Sequence, residues 1–550
     1  MRFPLFACFF LVFTLTPLFP QYGEDATEPF WRQALGGEVL SLPSYQAQSA
    51  VVALDGGNIR AYSSSGTPMW NFFPGGRISP YITRSREGTS YLARTNGTLI
   101  AVNRAGRELW RRGLGSPLSA GVVFGWDGRL FVPAGRTIQC FTASGNLLWT
   151  KTLDAPFLTP PKADRDGGII YSLTDNNVYR VDAFGNTHTW ATSKTPAALF
   201  SLKQDSNNHH NVIVLYKDGT IEDLTNPEEW FPSELRAGPL AAVSRDGKIA
   251  VTMDDGQVAV LSMKEKKVLW TGVSHIKEMI NNGGNPELAA EMLFDERGIY
   301  ILSKDGATGF ADDGRRLWVT YLNNAAAIPA FGNDGVLYSG GMDWILYAYK
   351  IENRALPEHG PLYGSAPEGS YGLGRLRVFD AYDIPLNEGE IKARLNQINA
   401  AINSGMVGSN EPVWTSFLLS VSSGRHPVQL KTGALNLLGK LGSQEIVPWL
   451  INIFRHDREP ALKAAAVLAI GDIGVDPDGI ALQAFSFSVI NSQPGDEQVL
   501  AAVASATGAI CRFSGPPLSE TGIRILTMLC AATQPLYARR QAERELASLR

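Results

Sequence analysis

Short runs of alternating hydrophobic and polar residues fill the first two thirds of the chain. One stretch shows the pattern plainly, with runs at residues 118–124, 130–133, 137–142 and 147–153. A period of two with many β-branched and aromatic residues is typical of β-strands. Turn dipeptides such as Asp-Gly and Asn-Gly separate the runs, and they suit tight hairpins because a positive φ costs them little. The pattern therefore predicts sets of four antiparallel strands.

Tryptophan marks the period of these sets. The successive intervals between eight of the tryptophans are 39, 40, 39, 41, 40, 40 and 48 residues. Four short strands in about 40 residues are the length of one blade of a β-propeller. The eight tryptophans are Trp31, Trp70, Trp110, Trp149, Trp190, Trp230, Trp270 and Trp318.

The two ends of this pattern complete one blade between them. Seven full units end at Trp70 through Trp318, and the strands that follow Trp318 make only three quarters of an eighth unit. Residues 27–35 supply the missing outer strand, which closes the ring and removes exposed sheet edges. We therefore predict an all-β, eight-bladed propeller over residues 27–352. A seven-bladed ring is the alternative if the longer unit before Trp318 has been misread.

The tryptophans fall into two groups. The eight in register lie on the last strand of each unit, where a wide ring fills the gap between neighbouring sheets, so we interpret them as structural. Trp126 and Trp344 lie outside the register. They are candidates for lining the mouth of the central channel, with blade packing as the other interpretation.

A helical period replaces the strand pattern in the last third. Residues 353–375 contain three prolines and five glycines, which predicts a linker over residues 353–388. Residues 431–442 match residues 463–474 at an offset of 32, and residues 500–511 form a weaker third copy. Alanine and glycine let two helices approach closely, and leucine and isoleucine fill the seam. We predict an all-α solenoid over residues 389–550.

Both modules resemble known repeat families. The motif that ends in Ala105-Gly106-Arg-Glu-Leu-Trp110 is similar to the PQQ-type propeller repeat, and the resemblance covers residues 27–352. It implies one of two kinds of protein. Quinoprotein dehydrogenases hold pyrroloquinoline quinone and calcium, whereas scaffolds of the BamB type are non-enzymatic, eight-bladed outer-membrane assembly lipoproteins without a cofactor.

The last third resembles HEAT repeats, with Arg458-Glu-Pro-Ala-Leu-Lys-Ala-Ala-Ala leading into the second helix of a pair. This resemblance implies a curved solenoid whose concave face binds protein. A role limited to capping the propeller is the alternative.

The N-terminus predicts export. Residues 1–20 hold an apolar run that follows Arg2 and closes with Pro17 and Pro20, which favours a signal peptide or an N-terminal anchor. Lipidation at Cys8 is a further alternative, although Cys8 lies at the start of the run. The other cysteines, which we predict to be free buried thiols, are Cys140, Cys511 and Cys530.

Charge and motifs exclude several function classes. The net charge of −4, from 49 basic and 53 acidic residues, argues against a general nucleic-acid binder. The chain has no Cys-Cys pair, no metal-ligand spacing of His and Cys, and no phosphate-binding loop. Asp164-Arg-Asp-Gly167 resembles part of a calcium loop, but it lacks the remaining ligands and is interpreted as a hairpin turn.

These features together predict a non-catalytic, exported protein-interaction scaffold of the bacterial cell envelope. We expect no catalytic, cofactor-binding or metal-binding residues and no cofactor. The expected partners are envelope proteins, in the periplasm or at a membrane reached through the N-terminus. The alternatives are a propeller enzyme of the quinoprotein type or a ligand sensor.

Overall fold

The computed structural model describes most of the chain from residue 28 to residue 549. The described ranges are 28–42, 49–85, 88–125, 128–164, 167–203, 210–226, 228–230, 237–244, 247–283, 290–295, 298–322, 325–332, 335–351, 387–476, 478–493, 495–514 and 518–549. The predicted signal segment, Cys8, most of the predicted linker and Trp126 lie outside them.

Eight four-stranded antiparallel sheets follow one another along the chain, which confirms the predicted propeller. Blades 1 to 4 consist of β2 (Val39–Ser41), β3 (Ser49–Leu54), β4 (Ile59–Ser63), β5 (Pro68–Phe72), β6 (Thr83–Arg84), β7 (Ser90–Ala93), β8 (Thr98–Val102), β9 (Glu108–Gly113), β10 (Val123–Phe124), β11 (Leu130–Ala134), β12 (Thr137–Phe141), β13 (Leu147–Thr152), β14 (Phe157–Ala163), β15 (Ile169–Leu173), β16 (Val178–Val181) and β17 (Thr187–Trp190).

Blades 5 to 8 continue the ring. They consist of β18 (Pro196–Lys203), β19 (His210–Tyr216), β20 (Ile221–Asp223), β21 (Glu228–Trp230), β22 (Ala237–Val243), β23 (Lys248–Met253), β24 (Gln257–Ser262), β25 (Lys267–Val273), β26 (Ala290–Asp295), β27 (Gly298–Ser303), β28 (Gly306–Ala311), β29 (Arg316–Tyr321), β30 (Ala330–Phe331), β31 (Val336–Gly340), β32 (Ile345–Lys350) and β1 (Trp31–Ala34).

The ring closes in blade 8, where the first strand of the chain pairs with the last. Trp31 lies opposite Ala348 and Ala34 opposite Ile345 in an antiparallel register. The predicted origin of the outer strand is therefore correct, and the count is eight rather than seven. The long interval before Trp318 accommodates helix α1 (His275–Asn281) in the connection between blades 6 and 7.

Helix α1 is fixed by a buried histidine. The ring nitrogens of His275 lie 2.8 Å from Thr308 Oγ1 and 2.8 Å from Ser303 Oγ, on two strands of blade 7. Burial lowers the pKa of His275 from 6.5 to about 3, with a small opposing effect from Glu278. The imidazole is therefore neutral at physiological pH and ties the connection to blade 7 through both nitrogens.

Acidification is expected to destabilise the propeller through this histidine. Below pH 6.5 the unfolded chain binds a proton that the folded protein excludes until about pH 3. The free energy of unfolding should therefore decrease as the pH is lowered through that window, by up to about 1.4 kcal/mol for each pH unit. Urea titrations between pH 5 and pH 6.5 test this above the range of most carboxylates. If the free energy of unfolding of His275→Gln changed with pH as steeply as that of the wild type, His275 would not be the cause of the pH dependence.

The C-terminal region is helical, as predicted. Its α-helices are α2 (Glu388–Ser404), α3 (Glu411–Ser423), α4 (Val428–Leu441), α5 (Val447–His456), α6 (Pro460–Ile473), α7 (Ile480–Ile490), α8 (Glu497–Phe513), α9 (Leu518–Leu529) and α10 (Leu536–Leu549). Most of them form two layers, and α3 packs against α4. Helices α2, α4, α6, α8 and α10 pack side by side in one layer, and α5, α7 and α9 pack in the other.

Small residues bring the helices of the first layer close together. A Cβ atom at Gly439 of α4 would lie 2.7 Å from the Ala469 Cα of α6, and one at Gly471 would lie 2.9 Å from the Ala506 Cα of α8. Helices α5, α7 and α9 contact one another less extensively. We call the first layer, in which α4, α6, α8 and α10 pack most closely, the inner layer of the solenoid.

Three cysteines lie in the described part of the chain and are free thiols: Cys140 and Cys511 are buried, as predicted, whereas Cys530 is only half-buried. Burial raises the pKa of Cys511 to about 12, so its thiol is protonated. No helix of the described residues is long and apolar enough to cross a membrane.

Candidate functional site

The register tryptophans join one blade to the next. The Nε1 atom of Trp110 in blade 2 donates a hydrogen bond of 2.9 Å to the Ala143 carbonyl, in the turn between the third and fourth strands of blade 3. Four others donate in the same way to the next blade, at 2.7 to 3.0 Å: Trp31 to Ser64, Trp70 to Arg104, Trp149 to Ala183 and Trp270 to Asp312. The indole thus supplies both apolar area and a polar link between blades.

The remaining register tryptophans have other surroundings. The ring of Trp318 lies against Tyr300 and Phe331, with centroid distances of 6.1 and 5.6 Å. The ring of Trp190 contacts His188 edge-on at 4.3 Å. Trp230 ends strand β21, and its side chain lies outside the described part of the structure.

The glycine of the motif makes room for the tryptophan ring. Gly145 has φ +83°, and a Cβ there would lie 2.6 Å from the Trp110 ring, whereas Gly115 has φ +78° with open space around it. We expect Gly115→Ala to cost about 1–2 kcal/mol from the left-handed backbone alone. Gly145→Ala should cost a further 1–3 kcal/mol, roughly, because the ring must shift. Urea denaturation of both variants measures the difference, and equal losses would contradict the packing role.

Two opposite faces of the propeller follow from the strand directions. Blade-to-blade connections and the turns between second and third strands share one face, which we call the upper face. Trp344 lies there, in the turn between β31 and β32, with φ +63° and 55% of its surface exposed. Met342 in the same turn and Phe73 after β5 are also exposed, by 57% and 60%. A place at the channel mouth stays a prediction for Trp344.

The first strands of the blades contact one another in sequence, β10 with β14, β14 with β18, β18 with β22 and β22 with β26, and so surround the channel. Lys162 on β14 and Glu291 on β26 are both exposed on these strands. Although both side chains keep solvent-accessible surface, the surrounding blades partly desolvate them, which lowers the pKa of Lys162 and raises that of Glu291, and each group partly offsets the shift of the other. The channel thus holds two opposite charges that the sequence analysis did not single out.

Asp164 lies in a hairpin turn, as its motif predicted. Its backbone nitrogen donates to the Gly168 carbonyl at 2.9 Å, and its own carbonyl accepts from the Gly167 nitrogen. The carboxylate is buried and accepts hydrogen bonds from Arg180 Nε at 2.5 Å and Ser201 Oγ at 2.7 Å. It therefore links blades 4 and 5. No cluster of three or more metal-ligating side chains occurs among the described residues.

The solenoid docks on the opposite, lower face, at the rim of blades 2 to 4. The centre of this junction is a buried ion pair in which Arg129 Nη2, beside the start of β11, lies 2.5 Å from Glu411 Oε1 at the start of α3. Arg129 Nη1 also donates to the Ala183 carbonyl at 2.7 Å, and its guanidinium lies 5.3 Å from the centre of the Phe184 ring. One side chain thus joins two blades and a helix.

Two further arginines hold the far end of the solenoid. Arg104 Nη2 donates to Ser519 Oγ at 2.6 Å, in the second residue of α9. Arg107 Nη1 donates to the carbonyls of Ala547 and Ser548, at 3.2 and 2.7 Å. Those carbonyls end α10, where a cation complements the helix dipole.

Backbone and apolar contacts complete the junction. The Val407 nitrogen donates to the Leu148 carbonyl on the outer strand of blade 3, at 2.9 Å. A Cβ at Gly405 would meet the Leu147 side chain, and one at Gly442 would meet Thr142. Buried residues of blades 2 to 4 and of the helices form one continuous hydrophobic cluster. The two modules therefore share a core, which sequence patterns of either repeat did not reveal.

Two sequence comparisons find similarity between part of the propeller and the same family. The family described as outer membrane protein assembly factor BamB matches residues 95–225. A protein of that name from Nitrosomonas eutropha is 26% identical over 160 residues, which is 28% of this chain. The match spans 38% of the length of that curated relative.

The chain is also similar to solved propeller structures, at low sequence identity. BamB from Moraxella catarrhalis is 16% identical, with a TM-score of 0.43 over 59% of this chain and 99% of that chain. The C-terminal WD40 domain of Sif2 is 10% identical, with a TM-score of 0.45 over 60% and 99%. In its repeat register, its eight closed blades and its sequence matches, the propeller of this chain is similar to PQQ-like β-propellers of the BamB type.

Proposed function

We propose that this protein is a non-catalytic, exported scaffold of the bacterial cell envelope that takes part in outer membrane protein assembly. The observation that carries the proposal is the junction, where a BamB-type propeller and a helical solenoid share one buried core. A rigid pair of modules offers several binding surfaces at fixed separation, and neither module needs a reaction centre for that.

The placement of the modules supports simultaneous binding. The solenoid covers part of the lower face, while the upper face carries the exposed Phe73, Met342 and Trp344. Exposed apolar groups of this kind are typical of protein-binding surfaces when they cluster. The HEAT-type assignment of the helices, the signal segment in residues 1–20 and a periplasmic location belong to the same proposal.

Crosslinking in intact cells tests the scaffold. The full chain carries a C-terminal tag, and crosslinked proteins are identified by mass spectrometry alongside the amounts of outer membrane proteins in a strain that lacks the gene. We expect a reproducible set of envelope partners and lower outer membrane protein levels, restored by the wild-type gene. A tagged protein without envelope partners, together with unchanged outer membrane protein levels, would contradict the proposal.

A ligand-binding propeller is the second candidate, and the charges in the channel favour it. Lys162 and Glu291 offer opposite charges to a carboxylated ligand and to a cation bound with it. Calorimetric titration with pyrroloquinoline quinone, with and without calcium, compares the wild type with Lys162→Met. Saturable binding by the wild type that Lys162→Met loses would favour the ligand-binding function. The absence of binding heat in the wild type and the variant would argue against it.

A further inference from the structure

A groove between α2 and α4 lies at the end of the inner layer of the solenoid. Its volume is about 780 Å³, within the usual range for ligand sites. The lining positions recur every three or four residues on both helices, which places them on facing stripes. They are Glu388, Lys392, Asn396 and Asn399 on α2, and Gln429, Gly433, Asn436 and Lys440 on α4.

The floor of the groove is apolar and its walls carry amides. Leu395 and Leu437 are buried in the floor. The side-chain amides of Asn396, Gln429 and Asn436 make no hydrogen bond to any other described residue. Each amide offers an acceptor and two donors, which are the complements of the N–H and C=O groups of a peptide unit.

The charges of the groove are largely balanced by neighbours. Glu388 stands one helical turn before Lys392. Lys440 donates to Asn399 Oδ1 at 3.0 Å, and it partly offsets the burial that raises the pKa of Asp472 on α6. The groove therefore has little net charge with which to attract a strongly charged ligand. Its amide groups can instead form hydrogen bonds with an uncharged peptide main chain.

The length of the groove sets the size of the ligand. From Glu388 to Asn399 the α2 stripe advances about 16 Å at 1.5 Å per residue. An extended chain advances about 3.3 Å per residue, so the stripe spans about five residues. The leucine floor has room for a side chain because Gly433 contributes none.

From this geometry we infer that the groove binds an extended, uncharged peptide segment of about five residues from a partner protein. The amides of Asn396, Gln429 and Asn436 bind its main chain, and one apolar side chain of the peptide lies on Leu395 and Leu437. The inference rests on the proposed scaffold function and names a surface through which it acts.

Peptides selected from a random heptapeptide library against the full-length protein serve as the probe. Their affinity is measured by fluorescence polarisation with the wild type and with Asn396→Ala/Asn436→Ala. Loss of two or more hydrogen bonds should weaken binding about tenfold or more. The matched control is Asn452→Ala, an exposed asparagine on α5 of the other layer, which should leave the affinity unchanged.

A filling variant tests the site without removing a polar group. A Cβ at Gly433 would lie 3.6 Å from Leu395 Cδ1, an ordinary contact, so Gly433→Leu fits the helix and fills the groove. Removing a glycine from the helix interior should keep the melting temperature at or above that of the wild type. We expect this variant to lose peptide binding, and N-methylation of alternate peptide nitrogens to have the same effect on the wild type.

Two results would overturn the inference: no peptide is enriched, or the selected peptides bind Gly433→Leu and the double variant as they bind the wild type. Crosslinking separates this failure from that of the scaffold. If envelope partners crosslinked equally to the wild type and to Gly433→Leu, the groove would not be the peptide-binding site, but the scaffold function would still stand. A wild type without partners would remove the scaffold, whatever the peptides do.

Discussion

Replacing Arg129 by methionine is expected to weaken the junction between propeller and solenoid by about 3–5 kcal/mol. Arg129 and Glu411 are both buried, and the ion pair between them is 2.5 Å long. The variant keeps most of the side-chain volume but leaves the Glu411 carboxylate in a site that excludes water. The Ala183 carbonyl also loses its hydrogen bond from Arg129 Nη1.

Urea unfolding with two signals measures this loss. Tryptophan fluorescence follows chiefly the propeller, which holds ten of the 12 tryptophans, with Trp414 and Trp449 replaced by phenylalanine in every protein compared. Far-ultraviolet circular dichroism at the helix band follows the solenoid. In Arg129→Met the helical transition should move to lower urea and separate from the propeller transition. The control is Glu108→Gln, which removes a surface pair with side chains 28% and 49% exposed and should cost less than about 1 kcal/mol.

A double variant identifies the cause of the loss. Arg129→Met combined with Glu411→Leu removes both charges and leaves apolar groups in their place. Such replacements of a buried pair are often neutral or stabilising, so most of the stability should return. The ion pair would not hold the junction if Arg129→Met unfolded at the same urea concentration as the wild type. The same conclusion would follow if the double variant were no more stable than Arg129→Met.

Repetition made most of the fold predictable. The tryptophan interval, the turn dipeptides and the incomplete last blade each constrain the same ring, and strand β1 pairs where the sequence placed it. Helices α4, α6 and α8 likewise cover the three repeat copies. Periodic patterns report contacts between consecutive units because the same residue types meet at every boundary.

The junction and the channel pair could not be predicted in the same way. In the sequence Arg129 follows the turn-type residues Trp126-Asp127-Gly128, and its partner Glu411 lies 282 residues further along the chain. Lys162 and Glu291 belong to strands three blades apart. Contacts between different modules occur only once, so no sequence period marks them. A single charged residue in a turn also looks the same in the sequence whether its side chain is solvated or forms an ion pair.

The junction also explains why blades 2 to 4 differ from the others in their surroundings. Their turns between third and fourth strands carry Arg104, Arg107 and Thr142, which contact the solenoid, and they also accept the hydrogen bonds of Trp70, Trp110 and Trp149. One set of turns therefore fixes the blades to one another and to the helices. A change at these turns should affect both modules together.

Trp110→Ala is the second substitution with a large expected effect. The ring is buried, its centroid lies 5.9 Å from that of Tyr91 and 6.5 Å from that of Phe141, and its Nε1 bonds to Ala143. Loss of a buried aromatic side chain typically costs about 3–5 kcal/mol. Because Ala143 adjoins Thr142, which contacts the solenoid at Gly442, the helical transition should also shift.

Two matched variants define what the ring contributes. Trp344→Ala makes the same substitution at a position that is 55% exposed, and we expect it to cost less than about 1 kcal/mol. Trp110→Phe keeps much of the apolar area but leaves the Ala143 carbonyl without its indole donor, so an intermediate loss of about 1–3 kcal/mol is expected. Urea denaturation of the three variants gives the order Trp110→Ala, Trp110→Phe, Trp344→Ala. If Trp110→Ala were no less stable than Trp344→Ala, the regularly spaced tryptophans would not contribute to holding the blades together.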